Sequence, residues 1–352
     1  MKRTVVLIDG TWNKEGTGAD TNVAKLDSGK KIITQAFIKA FASDGTAQHV
    51  HYHDGVGSEG DFMQKLLGGA IGLGLKKIIQ EVYEVLVSDY AAGDEIYIFG
   101  FSRGAYAVRA LAGLIGASGI QRQTNGDEFE IAWAHYRVPP AVRQQPQNAS
   151  TGDRKTLNNY NALVQRSAFH DTRAIKCVAV WDTVGSYGIP AGLGLAPLVV
   201  ILGFHDTKFG DHINVGLHAV AVDEHRRPFV PTFWTIARGR HPKGHVEQTW
   251  FAGAHCNVGG GYPQSGLSDE ALIWMIARVR ALTGLEFDIS AVRANTNPKL
   301  AETIVDSTQG WVIDHAFPHY RTVLSPVAIA HGYVANREDP TVVHINNECI
   351  RA

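Results

Sequence analysis

Cysteine is scarce. Only Cys177, Cys256 and Cys349 occur in 352 residues. They are too few and too scattered for a disulfide framework or a cysteine zinc site. Charge imbalance is missing too: 33 Lys and Arg against 34 Asp and Glu leave a net charge of -1. That removes the global electrostatic case for nucleic acid or an anionic membrane surface, and no nucleic-acid partner is expected. No apolar stretch reaches the ~18–20 residues of a membrane span, so no transmembrane segment is expected. The opening Met-Lys-Arg-Thr-Val-Val-Leu-Ile breaks its apolar run at Asp9, too early for a secretory signal. Repeats and low-complexity tracts are absent. The expectation is a soluble protein, cytoplasmic as synthesised, with export by a route needing no signal peptide left open.

A packed core is available, since 45% of residues are hydrophobic and 19% charged. The 37 glycines cluster after apolar runs, where an α/β protein turns from strand to loop. Five runs read as strands, at residues 4–8, 49–53, 95–99, 174–181 and 246–254. Most are nearly continuous in apolar residues, as strands buried on both faces should be. Helical spacing lies between them at residues 75–90, 105–115 and 267–282. This alternation predicts a mostly parallel sheet covered on both sides, with ligands at the carboxyl ends of the strands. One domain is expected, with a core of about 1–285, inserts at about 121–171 and 186–212, and an extension at about 286–352. The second insert holds an uncharged run, residues 189–204, that reads as a buried helix or as an apolar flap over the active site.

The sharpest motif is Gly100-Phe101-Ser102-Arg103-Gly104, between a strand and a helix. This is the strand–turn–helix setting of a nucleophile elbow. Side chains at 100 and 104 would collide with neighbouring backbone, and the turn lifts Ser102 above the sheet. The Arg103 N–H, at the helix start, is placed to receive an oxyanion. A serine nucleophile needs a base and an orienting acid, in chain order Ser, acid, His. His255 is the candidate base because it follows the last strong strand and enters Gly259-Gly260-Gly261. Asp182 and Asp223 compete as the acid. Asp182 has the cleaner strand end, whereas Asp223 in Asp-Glu-His-Arg-Arg reads as part of a solvated salt-bridged cluster. Gly10 or Thr11, after the first strand, is the candidate second oxyanion donor. Phe101, Leu198 and Ile201 are candidate substrate contacts.

Weaker constellations carry bland readings. The Gly55–Gly60 pattern matches G-x-G-x-x-G but is followed by a glycine-broken apolar stretch rather than a dinucleotide-binding helix. His49, His51 and His53 share one strand face without an obvious fourth ligand, so no metal is expected there. Asp9, Asp54 and Asp182 are expected to cap loops rather than hold a cation. Cys256 lacks an elbow and reads as a packing residue. The chemistry needs no cofactor.

The chain resembles the α/β-hydrolase domain that forms the catalytic domain of family 1 type VI secretion lipase effectors. The resemblance rests on Asp9-Gly-Thr-Trp-Asn13, Thr21-Asn-Val23, Gly100-Phe-Ser-Arg-Gly-Ala-Tyr106, Val180-Trp-Asp-Thr-Val-Gly185, Phe204-His-Asp-Thr207, His218-Ala-Val-Ala-Val-Asp-Glu224, Trp250 through Tyr262, and Leu267-Ser-Asp269. These pieces run in the family's order over residues 1 to about 285. The resemblance implies an α/β-hydrolase fold, an esterase or phospholipase activity, and Ser102 and His255 as nucleophile and base. It brings a lipid or other ester substrate, and a secretion apparatus or an inhibitor protein as partners. Where the family has Ser-Asp after the histidine, this chain has Cys256-Asn257. A carboxylate role there is lost, while Asn can still hydrogen-bond. Rival expectations are a carboxylesterase or thioesterase on small soluble esters, and a non-catalytic hydrolase-fold binding module.

Overall fold

The computed structural model describes residues 1–10, 19–27, 36–55, 71–171, 174–184, 208–226, 229–235, 243–299, 301–309, 315–316, 318, 320–321 and 341–345. Thr11, most of the Gly55–Gly60 motif, and the run at 189–204 with Leu198 and Ile201 lie outside them.

Among the described residues, seven strands form one sheet: β1 (Arg3–Ile8), β2 (Gln48–His53), β3 (Glu95–Phe101), β4 (Ile175–Trp181), β5 (Ile213–Ala221), β6 (His245–Phe251) and β7 (Thr341–Ile345). Their order is β2-β1-β3-β4-β5-β6-β7, and every pairing is parallel. The chain winds outward from β1 to β2, then crosses back to β3. This reversal puts a crevice outside the carboxyl ends of β1 and β3, where open α/β sheets bind their ligands. The fold is α/β, as the sequence predicts.

The near-continuous apolar runs are explained by burial on both faces. Val6, Ile8, Ile96, Ile98, Val178 and Val180 point to one side. There they pack against α2 (Ile71–Asp89), α3 (Ser102–Ser118), α4 (Gly126–Arg137) and α6 (Thr151–Gln165). Val5, Leu7, Tyr97, Phe99, Ala179 and Trp181 alternate with them. They meet α1 (Asn22–Leu26), α8 (Gly266–Thr283) and α9 (Ile289–Asn295) on the other side. The period-2 alternation of a strand thus feeds two separate cores.

The polar insert at 121–171 is helical. Asn125 accepts from the backbone of Asp127 and Glu128 to start α4, and Ser150 accepts from Asp153 to start α6. Between them lies the short α5 (Pro140–Gln144). Helix α6 buries only Leu157, Tyr160 and Leu163, one stripe on an otherwise polar surface. The histidine face of β2 meets carboxylates of α2 while staying partly exposed. His49 and His51 meet Asp89, 2.9 and 3.3 Å away, and His53 meets Glu81 at 3.0 Å.

Three boundaries differ from the sequence reading. The strand expected at 246–254 ends at Phe251. A turn then leads into α7 (His255–Gly259), so His255 opens a short helix instead of ending a strand. Strand β5 (Ile213–Ala221) is not among the five runs that read as strands in the sequence. Its apolar pattern is broken by Asn214, Gly216 and the fully buried His218. The extension beyond 286 supplies β7, which pairs with β6 from Val246↔Thr341 to Trp250↔Ile345.

Candidate active site

Strand β3 runs between β1 and β4, with Gly100 beside Ile8 and Phe101 beside Trp181. Helix α3 begins at once, so the chain must turn within one residue. Ser102 takes that turn with φ 58°, a left-handed conformation that costs a non-glycine residue roughly 1–3 kcal/mol. The flanking glycines are sterically required. A Cβ on Gly104 would lie 2.2 Å from the Ile8 carbonyl oxygen, and one on Gly100 would lie 2.7 Å from the Gly104 backbone. Helix α3 therefore passes against the end of β1 at a distance only glycine permits.

Asp182 follows β4 directly and also has a positive φ, 35°. Its N–H donates to Ala219 at 2.7 Å, and its Oδ1 accepts from the Ala221 N–H at 3.0 Å. The next residue is held as well: the Thr183 N–H donates to His218 Nε2 at 3.1 Å. Burial first, then the nearby Arg109 charge, lowers the His218 pKa to about 3. His218 is thus a neutral backbone acceptor, a structural histidine inside a strand.

His255 is fixed from several sides. Asn257 Oδ1 accepts from the Ala254 N–H at 3.1 Å, closing the turn before α7. The same oxygen accepts from the Val305 N–H at 3.3 Å, so Asn257 does hydrogen-bond. The His255 N–H donates to Glu224 Oε2 at 3.3 Å. The imidazole lies between two rings: Phe101 at 4.6 Å and 33°, and Phe229 at 5.0 Å and 76°.

These elements bring the three side chains together. His255 Nδ1 is 2.6 Å from Asp182 Oδ2, and His255 Nε2 is 2.7 Å from Ser102 Oγ. All three residues are buried. An ionised carboxylate only accepts, so Nδ1 carries the proton and donates to Asp182. Nε2 then has its lone pair free to accept from the Ser102 hydroxyl. Burial holds the His255 pKa below its ordinary value of 6.5, against the opposing pull of Asp182. At Asp182 burial favours the neutral acid, but the Arg321 charge and the His255 hydrogen bond outweigh it. The carboxyl is held well below the usual carboxylate range.

Asp223, the rival acid, is not in this set; its Oδ2 accepts from the Gly253 N–H at 2.7 Å and shapes the turn. Two members of the charged cluster beside it are shielded from solvent. Glu224 and Arg226 are buried and joined by two 2.8 Å contacts from guanidinium to carboxylate. Arg103 is the second residue of α3, in its first turn. Gly10 sits near the serine, since a Cβ there would be 3.3 Å from Ser102 Cβ. Its N–H, however, donates to Asp9 Oδ1 at 2.6 Å, which disfavours Gly10 as the second oxyanion donor. Asp9 also accepts from Thr21 and Tyr52, at 2.6 and 2.7 Å, and so links the end of β1 to the start of α1 and to β2. Phe101, a candidate substrate contact, is buried in the core and packs against the His255 ring. Burial pushes the Cys256 thiol up to about 12, far from thiolate chemistry at neutral pH.

Sequence reasoning missed two charged residues here. Glu224 stands in the Asp-Glu-His-Arg-Arg run, which has the pattern of a solvated cluster. Arg321 was not singled out at all, yet its Nη1 lies 2.6 Å from Asp182 Oδ1 and its Nη2 3.0 Å from Oδ2. Nothing in the local sequence around Arg321 signals this, because the contact crosses 139 positions.

A strained serine at the end of a parallel strand, with an imidazole on its hydroxyl, is an arrangement of the α/β-hydrolase class. Residues 2–278 match the family described as T6SS, Phospholipase effector Tle1-like, catalytic domain. The chain belongs to that family. Over 163 residues it is 29% identical to a Saccharomyces cerevisiae protein, Uncharacterized protein YEL023C. That match covers 37% of this chain and 24% of the yeast protein. Two solved structures are similar. One is an uncharacterized protein from Pseudomonas aeruginosa (TM-score 0.43, 17% identity, 83% of this chain and 47% of that one). The other is the Tle1 effector bound to the VgrG spike of the type 6 secretion system (TM-score 0.39, 16% identity, 74% of this chain and 51% of that one). The chain thus spans about half the length of these two structures and about a quarter of the yeast protein.

Proposed function

We propose that the protein is a serine hydrolase that cleaves carboxylic esters of phospholipids through an acyl-serine intermediate. The observation that carries this reading is the unbroken contact series from Ser102 Oγ to His255 Nε2 and from His255 Nδ1 to Asp182 Oδ2. Family membership supplies the lipid substrate class.

In this reaction His255 takes the Ser102 proton as Oγ attacks the ester carbonyl. The negative charge moves to the carbonyl oxygen, which the Arg103 N–H at the start of α3 receives. The imidazolium then protonates the leaving alcohol, and the acyl-serine forms. Water enters, loses a proton to His255, and attacks the acyl carbon; the acid leaves and Ser102 regains its proton. Asp182 keeps the imidazole in the tautomer that presents its lone pair to serine. No step calls for a cofactor. The second oxyanion donor would come from Thr11, and acyl contacts from the apolar run with Leu198 and Ile201. A type VI secretion apparatus would carry the protein out of the cell.

The test is hydrolysis of phosphatidylcholine and phosphatidylethanolamine vesicles beside p-nitrophenyl butyrate, by wild type and Ser102→Ala. Loss of a triad nucleophile costs roughly 10⁴–10⁶ in rate. A fluorophosphonate probe should label the wild type and not the mutant. Turnover of the short ester alone would move the reading to a small-ester esterase. An unlabelled, inactive wild type would point to a binding module.

A further inference from the structure

Asp182 has no solvent exposure in its side chain, and the Arg321 side chain has 2%. A carboxylate so placed must be matched by charge and by hydrogen bonds, because an isolated buried anion is very costly. Its oxygens are filled in a definite pattern. Oδ1 receives the Ala221 N–H at 3.0 Å and Arg321 Nη1 at 2.6 Å. Oδ2 receives His255 Nδ1 at 2.6 Å and Arg321 Nη2 at 3.0 Å. The guanidinium is a fork across both oxygens, the geometry that fixes the plane of a carboxylate as well as its charge. It is itself aimed by two carbonyls: Nη1 donates to Ala221 O at 2.6 Å, and Nη2 donates to Phe229 O. Phe229 also walls the His255 ring.

Arg321 lies beyond residue 278, where the match to the catalytic-domain family ends. We propose that Arg321 is a positioning residue of the hydrolase, delivered by the C-terminal segment, that orients Asp182 and sets the basicity of His255. This rests on the triad reading above. The guanidinium neutralises Asp182 while His255 is neutral. It also leaves less uncompensated negative charge to hold a proton on the imidazole. Removing it has two separable effects. The carboxylate loses its fixed plane, so the imidazole is aimed less well at Ser102 and kcat falls. The carboxylate also loses its counter-ion, so the imidazolium is favoured and the His255 pKa rises.

Several groups near this pair are held away from the range in which His255 titrates. His218 behind Thr183 is held at about 3, first by burial and then by Arg109. At Glu224 burial opposes ionisation, but the bond to Arg226 holds it below its ordinary value. Arg226 in turn is raised by that bond despite burial. Burial pushes Cys256 to about 12 and raises Tyr262 as well. The acid limb of kcat/KM therefore reports His255.

The experiment compares full-length wild type, Arg321→Gln, Arg321→Lys, Asp182→Asn and the double variant Asp182→Asn/Arg321→Gln, on whichever ester the wild type turns over. Arg321→Gln should lower kcat by about 10–10³-fold with little change in KM, less than the loss of about 10⁴ for a wrong tautomer at the acid. Its acid limb should move to higher pH by about one unit, the low end of the effect of an adjacent charge. Arg321→Lys keeps the charge without the fork. Its limb should stay near the wild-type position while kcat falls, and it serves if the glutamine variant does not fold. The double variant should be no slower than Asp182→Asn, since both act through one group. The proposal is overturned if Asp182→Asn is crippled while both Arg321 variants keep wild-type kcat and limb per folded molecule, or if the double variant's losses multiply. If Asp182→Asn is itself fully active, it is the triad reading that fails.

Discussion

The ring of Phe101 lies 4.6 Å from the imidazole of His255, inclined by 33°, one residue before the serine that the imidazole contacts. The same short turn thus supplies both the hydroxyl and one wall of its hydrogen-bond partner. Gly259 makes the contact feasible, since a Cβ there would lie 1.9 Å from the Phe101 ring.

Truncating this wall should therefore hurt twice. Phe101→Ala removes a buried aromatic and is expected to cost about 3–5 kcal/mol of stability. Phe101→Leu fills most of the space with a flexible side chain. It should lower kcat more than it alters KM, because the imidazole gains freedom to leave the serine. Thermal melts and steady-state kinetics on both variants would check this. A Phe101→Leu enzyme with wild-type kcat would show that Phe229 alone holds the ring.

The two aspartates should separate cleanly. Asp182→Asn presents an amide to Nδ1 and favours the wrong tautomer, for an expected loss of up to ~10⁴ in kcat. Asp223→Asn keeps an oxygen able to accept from the Gly253 N–H. Its kcat should stay within about tenfold of wild type, because the turn can retain its hydrogen bond. The reverse ranking would show that Asp223, not Asp182, orients the base.

How much of this was legible in the sequence follows from which interactions are local. The elbow was legible because its constraint is local: a strand, a one-residue turn and two glycines within five positions. Burial on both sheet faces made β1, β3 and β4 readable as apolar runs. Strand β5 was obscured by His218, a buried polar residue whose acceptor role toward Thr183 depends on a neighbouring strand. Glu224 and Arg226 are two residues apart and look like any exposed pair of charges. Only the fold buries them. Arg321 was illegible for the same reason in stronger form, since its partner is set by how the C-terminal segment returns to the end of β4.

The pH dependence of activity should carry a definite sign. Catalysis needs His255 neutral, and burial lowers its pKa below the ordinary 6.5. The pH profile of kcat/KM should therefore rise through one ionisation below about 6.5 and be flat at neutral pH. Asp182 is held ionised throughout that range and contributes no second step. An acid limb centred well above 6.5 would mean that the Asp182 charge dominates over burial.

Two glycines that each stand near a helix start should respond in opposite ways to an added methyl group. Gly104 sits in the first turn of α3, and a Cβ there would be 2.2 Å from Ile8 O and 2.5 Å from Asp9 O. Both contacts are to backbone, so no side-chain rotation relieves them. Either α3 or the end of β1 must move, and the Ser102 turn lies between them. Overpacking of this kind costs at least about 1–3 kcal/mol. Gly126 also begins a helix, α4, but a Cβ there meets nothing within 4 Å. Alanine at 126 should leave the melting temperature unchanged or raise it, since it reduces the freedom of the unfolded chain by about 0.4–1 kcal/mol where the native backbone tolerates it. Gly104→Ala should melt several degrees lower and lose fluorophosphonate labelling of Ser102, even at temperatures where it remains folded. Gly126→Ala should label as wild type. A Gly104→Ala protein that melts and labels normally would mean that α3 does not pass as close to β1 as the parallel register of β1 and β3 places it.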